Sequence, residues 1–232
     1  MGTTPEVVLI VGVGIGLSAA LARRFARDGA RIVLAARNPT KLAELRNETG
    51  ADVHACDAAD PASVARLFEA CDRSCGAPQI VVYNPSYRTR GPITDLDPAE
   101  VAKTLMVSAF GGFLVGQQAA RRMLAAGTGT ILFTGASASV KGYAQSAPFA
   151  MGKFGLRGLA QSMARELAPK NIHVAHFVID GGIRSATRTG SNNEPDALLD
   201  PAAIAETYAH VARQPRSAWT WEVELRPWTE KF

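Results

Sequence analysis

Runs of Val, Ile and Leu recur at 7–11, 31–36, 52–56, 80–83, 129–134 and 173–179, and each reads as a strand. Between them, at 18–28, 40–49, 61–75, 98–126, 148–167 and 201–213, apolar residues return with the helical period. A continuous apolar run suits a strand buried on both faces, whereas a helix needs only one apolar stripe. Strands alternating with helices predict βαβ units, and so a parallel sheet layered by helices. The tail at 221–226 differs, since Trp221-Glu222-Val223-Glu224-Leu225-Arg226 alternates apolar and polar residues as an edge strand does. The pattern predicts an α/β, Rossmann-type, doubly wound, mostly parallel sheet of seven strands with helices on both faces. A single domain over 1–232 accommodates it.

Local chemistry supports the boundaries. Proline opens several of the helical segments, at the first turn where its missing N–H costs nothing. Thr40 and Asp200 are the expected N-caps of their helices. The one long irregular stretch, 184–200, is rich in Ser, Thr, Asn and Gly and follows the sixth strand directly. In a doubly wound sheet, loops at the carboxyl ends of strands line the ligand crevice, so this stretch is the expected substrate loop.

Composition narrows the function. The chain has 25 Lys and Arg against 21 Asp and Glu, a net charge of +4, and 47% apolar residues, which excludes disorder. Its basic residues are scattered singles and pairs, so no nucleic-acid stripe is expected. Three cysteines, Cys56, Cys71 and Cys75, build no disulfide framework and suit a reducing cytoplasm. No zinc-type spacing joins them to the four histidines, so no metal is expected. Residues 7–22 carry no charge, but the run is too short to span a bilayer and holds three glycines. It reads as a buried strand running into a helix, and no membrane partner is expected.

That run breaks at Gly12-Val13-Gly14-Ile15-Gly16-Leu17-Ser18. A strand, a tight glycine turn and a helix N-terminus together form an anion site, because unpaired N–H groups and the helix dipole converge there. A pyrophosphate fits it, with Gly12, Gly14, Ile15 and Gly16 as its contacts. About 20 residues on, where an acid would hold the ribose of NAD, stands Arg37 after Ala36. A planar guanidinium there suits the 2′-phosphate of NADP, with NAD the lesser alternative.

These residues carry a resemblance to the short-chain dehydrogenase/reductase family over nearly the whole chain. Its Gly-x-x-x-Gly-x-Gly motif falls on Gly12, Gly16 and Ser18, with Ser in place of the last glycine. The resemblance implies that Asp57 contacts the adenine, that Asn84 in Asn84-Pro85-Ser86 lines the crevice, and that Asp180-Gly181-Gly182-Ile183 flanks the nicotinamide through Gly181 and Ile183. It also implies a Tyr-x-x-x-Lys pair on the helix after the fifth strand. Lys153 is present, and Phe149 stands at the tyrosine position. The family serine falls on Ala136 and the helix asparagine on Ser108.

The tyrosine normally gives or takes the proton as hydride moves, and a general acid of that kind is worth about 10²–10⁴ in rate. Candidates to replace it are Tyr143, Tyr87 and a water held by Ser137, with Lys153 gripping the ribose. The resulting expectation is an NADP-preferring oxidoreductase of a small-molecule carbonyl, alcohol or activated double bond. Its catalytic set is Lys153, Ser137 and Tyr143, and the family habit implies a homodimer or homotetramer. The alternative is a catalytically silent relative that binds a nucleotide or ligand.

Overall fold

The computed structural model describes residues 5–185, 188–189 and 196–230. Seven strands form one sheet: β1 (Val7–Val11), β2 (Arg31–Ala36), β3 (Asp52–Ala55), β4 (Ile80–Tyr83), β5 (Gly129–Thr134), β6 (Ile172–Ile179) and β7 (Glu222–Leu225), in the order β3-β2-β1-β4-β5-β6-β7. Each neighbouring pair is parallel. All carboxyl ends therefore emerge on one side, and the order reverses between β1 and β4, where doubly wound sheets open a crevice. The alternating tail is β7, paired only with β6 at the sheet's edge.

Helices cover both faces, and the pleat divides the core between them. Val7, Leu9 and Val11 of β1 point to one face, with Phe68 of α3 (Pro61–Ser74), Val115 of α5 (Gly111–Ala126) and Leu156 of α6 (Ala147–Leu167). Val8 and Ile10 point to the other, with Phe25 of α1 (Leu17–Arg27), Leu45 of α2 (Ala43–Thr49) and Tyr208 of α7 (Pro201–Ala212). Each fully buried Val, Leu, Ile or Phe contributes about 1.5–3 kcal/mol, so a strand buried on both faces is held from two layers. The uncharged run at 7–22 is thus the central strand and the start of α1.

Two departures from the sequence reading have local causes. The cap expected at Thr40 belongs to Asn38: Pro39 opens a 3₁₀ turn at Pro39–Leu42, and the Asn38 side chain accepts from the Thr40 N–H at 3.1 Å. Asp200 does cap α7, accepting from the Ala202 N–H at 2.8 Å, a bond worth about 1 kcal/mol. The long helix at 98–126 is interrupted. It runs as α4 (Pro98–Leu105), a π-helical turn (Met106–Phe110) and α5, and the Tyr83 hydroxyl donates to the Val107 carbonyl inside that turn. Such bulges mark functional sites more often than plain helix does.

The expected substrate loop is partly described. Ile183 and Leu199 pair as one parallel bridge and Ser185 pairs with Arg188 as another, antiparallel. Residues 186–187 and 190–195 lie outside the described residues.

Candidate functional site

A cleft of about 310 Å³ opens at the carboxyl ends of β1 to β4, lined among others by Gly12, Gly14, Arg37, Asp57, Asn84 and Val107. Each of the first five stands just beyond a strand, so the parallel sheet brings them together by backbone alone. Gly12 has φ +83°, and a Cβ there would stand 2.5 Å from the Pro85 nitrogen, so only glycine fits where the β1 turn meets the β4 loop. At Gly14 and Gly16 a Cβ would meet no protein atom within 4 Å, and the turn faces open space. Ile15 stands at its rim, 77% exposed.

Ser18 ties the turn to the fourth strand. Its hydroxyl donates to the Gly12 carbonyl at 3.1 Å and accepts from the Asn84 amide at 2.6 Å. A glycine at position 18 would make neither bond. Arg37 points to the cleft and meets no carboxylate among the described residues. The Asp57 carboxylate accepts from the Ala59 N–H at 3.0 Å, which holds the loop after β3 in place.

A second group lies at the ends of β5 and β6 and the start of α6. Lys153 is buried, and its ammonium donates to the Thr134 carbonyl at 2.8 Å, leaving two N–H donors for another partner. Burial, and after it the charge of Arg88, pulls its pKa down to about 8. One turn earlier on α6, Phe149 is also buried. The Arg88 guanidinium stacks over that ring at 3.9 Å, and Lys153 Nζ lies 5.8 Å from the same ring. Beside Lys153, Gly152 packs against Ser108 of the π-helical turn, whose buried hydroxyl has no partner among the described residues.

The hydroxyls considered as proton donors are placed differently. Tyr143 is 48% exposed and its hydroxyl makes no hydrogen bond to a described residue. Ser137 opens the 3₁₀ turn Ser137–Ser139, where its carbonyl accepts from the N–H groups of Val140 and Lys141. Tyr87 lines the cleft, and its hydroxyl is engaged: it pairs with Glu100, and Lys103 donates to it at 3.0 Å. Gly181 adopts φ +149° beneath Pro227, and the neighbouring Asp180 is buried between Lys141 and Arg226, each at 3.0 Å.

Sequence reasoning missed Arg88 and a partly buried chain under α6. His176 of β6 meets Glu222 of β7 at 3.0 Å, and Arg157 of α6 closes on the same carboxylate at 2.6 Å. Burial drives the His176 pKa down to about 4 despite Glu222, so the ring is neutral at pH 7. Burial also raises the Glu222 pKa, but Arg157 and His176 outweigh it and hold the carboxyl low. His176 Nε2 is buried without a partner among the described residues. The alternation at 221–226 put Glu222 on the polar side of the edge strand, and nothing in the sequence pairs it with His176 or pairs Arg88 with Phe149.

Comparison with known proteins gives a consistent result. The family model described as short chain dehydrogenase matches residues 6–196. A Staphylococcus aureus protein named an uncharacterized oxidoreductase is 25% identical over 227 residues, covering 97% of this chain and 98% of its own length. D-threitol dehydrogenase of Mycolicibacterium smegmatis is 30% identical over 174 residues, 73% of this chain and 67% of that protein. Among solved structures, a short-chain dehydrogenase from Rhodopseudomonas palustris superposes with a TM-score of 0.85 at 37% identity, over 96% of this chain and 99% of that one. A metagenomic short-chain oxidoreductase in complex with NADP gives a TM-score of 0.85 at 28% identity, over 97% and 98%.

Proposed function

Since this chain belongs to the short-chain dehydrogenase family and is an oxidoreductase of that type, we propose that it prefers NADP(H) and acts on a carbonyl, alcohol or activated double bond of a small molecule. The observation that carries the cofactor reading is Arg37. It lines the same cleft as Gly12, Gly14, Asp57 and Asn84, with no carboxylate to neutralise it among the described residues. A 2′-phosphate supplies the missing anion, and the open space over Gly14 and Gly16 leaves room for a diphosphate. The solved relative titled as a complex with NADP favours the same choice.

A bound nicotinamide dinucleotide would supply or accept the hydride. Lys153, with two N–H donors unused, would hold the ribose hydroxyls, and Gly181 and Ile183 would border the nicotinamide. Phe149 occupies the position of the family's tyrosine and has no proton to give, so Ser137 or Tyr143, through a water or a loop shift, would supply it. Calorimetry with NADPH and NADH tests the cofactor reading. NADPH is expected to bind at least ten-fold tighter, and Arg37→Asp to erase that preference. Binding of neither nucleotide would sink it. The Phe149→Tyr variant is expected to raise reduction of a carbonyl panel by about 10²-fold.

Phe149 also supports a second reading, a catalytically silent binder of the same nucleotide. Turnover that Lys153→Ala abolishes would remove it. We further propose a cytoplasmic homodimer or homotetramer, supported by exposed Phe110, Phe113 and Phe154. Light scattering of a strict monomer at micromolar concentration would count against the assembly.

A further inference from the structure

Beyond the glycine-turn cleft, cations gather around Phe149. Arg88, from the loop after β4, stands over its ring with the guanidinium carbon 3.9 Å from the ring centre, and Lys153 Nζ lies 5.8 Å from the same centre. Arg188 reaches in from the segment after β6, its guanidinium 3.1 Å from where a Cβ of Gly182 would stand. Arg90 and Arg188 are both close enough to act on the charge of Arg88, which burial and these two neighbours make less willing to hold its proton. None of the three arginines meets a carboxylate among the described residues.

Cations nearby are treated differently. Lys141 and Arg226 share Asp180, Arg184 faces Asp200 at 3.8 Å, and Arg157 grips Glu222. At the carboxyl ends of β4 and β6 this cluster meets no acid among the described residues, and an anion from outside would neutralise it. We propose that this end of the crevice receives an anionic group of the substrate, a carboxylate or a phosphate, with Arg88 as its anchor and Arg188 as a second contact. The proposal rests on the reading of the crevice as an oxidoreductase site and names the class of substrate it takes.

The geometry suits that role. A guanidinium stacked on an aromatic face keeps its N–H edge turned outward, and that planar fork matches two oxygens of a carboxylate or phosphate. Binding would also relieve repulsion among like charges in a partly buried setting. The Phe149 ring then acts as the platform on which the anchor rests.

The diphosphate of a dinucleotide has the same chemistry, so the experiment has to separate the two sources. Inorganic phosphate and malonate are titrated calorimetrically, at constant ionic strength, into the protein alone and into protein saturated with NADPH. One-to-one binding of at least one probe is expected in both states. Arg88→Gln is expected to weaken it at least ten-fold, Arg88→Lys to fall between, and Arg188→Gln to weaken it several-fold. Arg73→Gln, on the exposed face of α3, is the control for bulk charge and leaves it unchanged. Anion binding that NADPH abolishes would assign the cluster to the cofactor and overturn the proposal. So would the absence of anion binding in both states, or wild-type affinity in Arg88→Gln. If NADPH itself fails to bind, the cofactor reading fails alone, and the titration of the nucleotide-free protein still decides this one.

Discussion

Gly12, Arg37, Asp57 and Asn84 stand within two residues of the carboxyl ends of β1, β2, β3 and β4, whereas Lys153, Phe149 and Arg88 meet from a helix and a distant loop. At the first end of the crevice, backbone does the positioning, and a substitution there acts through φ and turn shape. At the second end, side chains do it, through a buried ammonium, a stacked guanidinium and a neutral histidine. The two ends should fail differently. Damage at the first is conformational and nearly independent of pH, and damage at the second changes how stability responds to protons.

The largest expected effect is at the backbone end. Gly12→Val forces a branched side chain into φ +83° and onto Pro85, and should cost about 3 kcal/mol or more in urea unfolding, at pH 5 and pH 8 alike. A variant as stable as the parent would show that the turn relaxes and that the contrast is overstated.

At the side-chain end, His176 has a pKa lowered to about 4, below its ordinary 6.5, so the unfolded chain binds the extra proton first on acidification. Its contribution to stability is present above pH 6.5 and lost as pH falls toward 4, by about 2–3 kcal/mol between pH 7 and pH 4.5. In His176→Gln that part of the acid slope should vanish. Equal slopes in the two proteins, measured by urea midpoints, would mean that other groups drive acid unfolding.

Lys153 gives the opposite end of the pH scale. Its pKa near 8 lies below the ordinary 10.5, so the folded state sheds its proton first, and stability from this group rises between pH 8 and pH 10 by about 2 kcal/mol. Lys153→Met should lose that rise, and a retained rise would mean that Lys153 titrates as an exposed lysine.

The smallest effect lies at the seam between the β1 turn and β4. Ser18→Ala removes the bonds to Gly12 and Asn84 and should cost about 1 kcal/mol. It should also free Asn84, which amide exchange or a heteronuclear NMR spectrum would register. An undisturbed Asn84 amide signal would show that Pro85 alone holds the loop.

Much of the architecture was legible because strand and helix signals are local. Uninterrupted Val and Ile runs marked strands buried on both faces, and the alternation in the tail marked the edge strand β7, as the sheet order bears out. The glycine turn and Arg37 were legible for the same reason, since each stands at a fixed step from a strand terminus. The break in the helix at 98–126 was not, because its π-helical turn depends on Tyr83 reaching the Val107 carbonyl from another element. Nor was the engagement of Tyr87 by Glu100 and Lys103, which occupies the hydroxyl of a residue that does line the cleft.

By itself, then, the order of residues determined a parallel doubly wound sheet, the tight glycine turn at Gly12 and a phenylalanine four residues before Lys153, since periodicity and turn chemistry depend on neighbours in the chain. Tertiary structure decided what surrounds Phe149 and Lys153. Arg88 on one side of that ring, Lys153 held by Thr134, and the Arg157–Glu222–His176 chain beneath α6 depend on which strand ends lie side by side. The physical reason is range. Backbone preferences act within a few residues, whereas burial and electrostatics act between groups that only the packed sheet brings within a few ångströms.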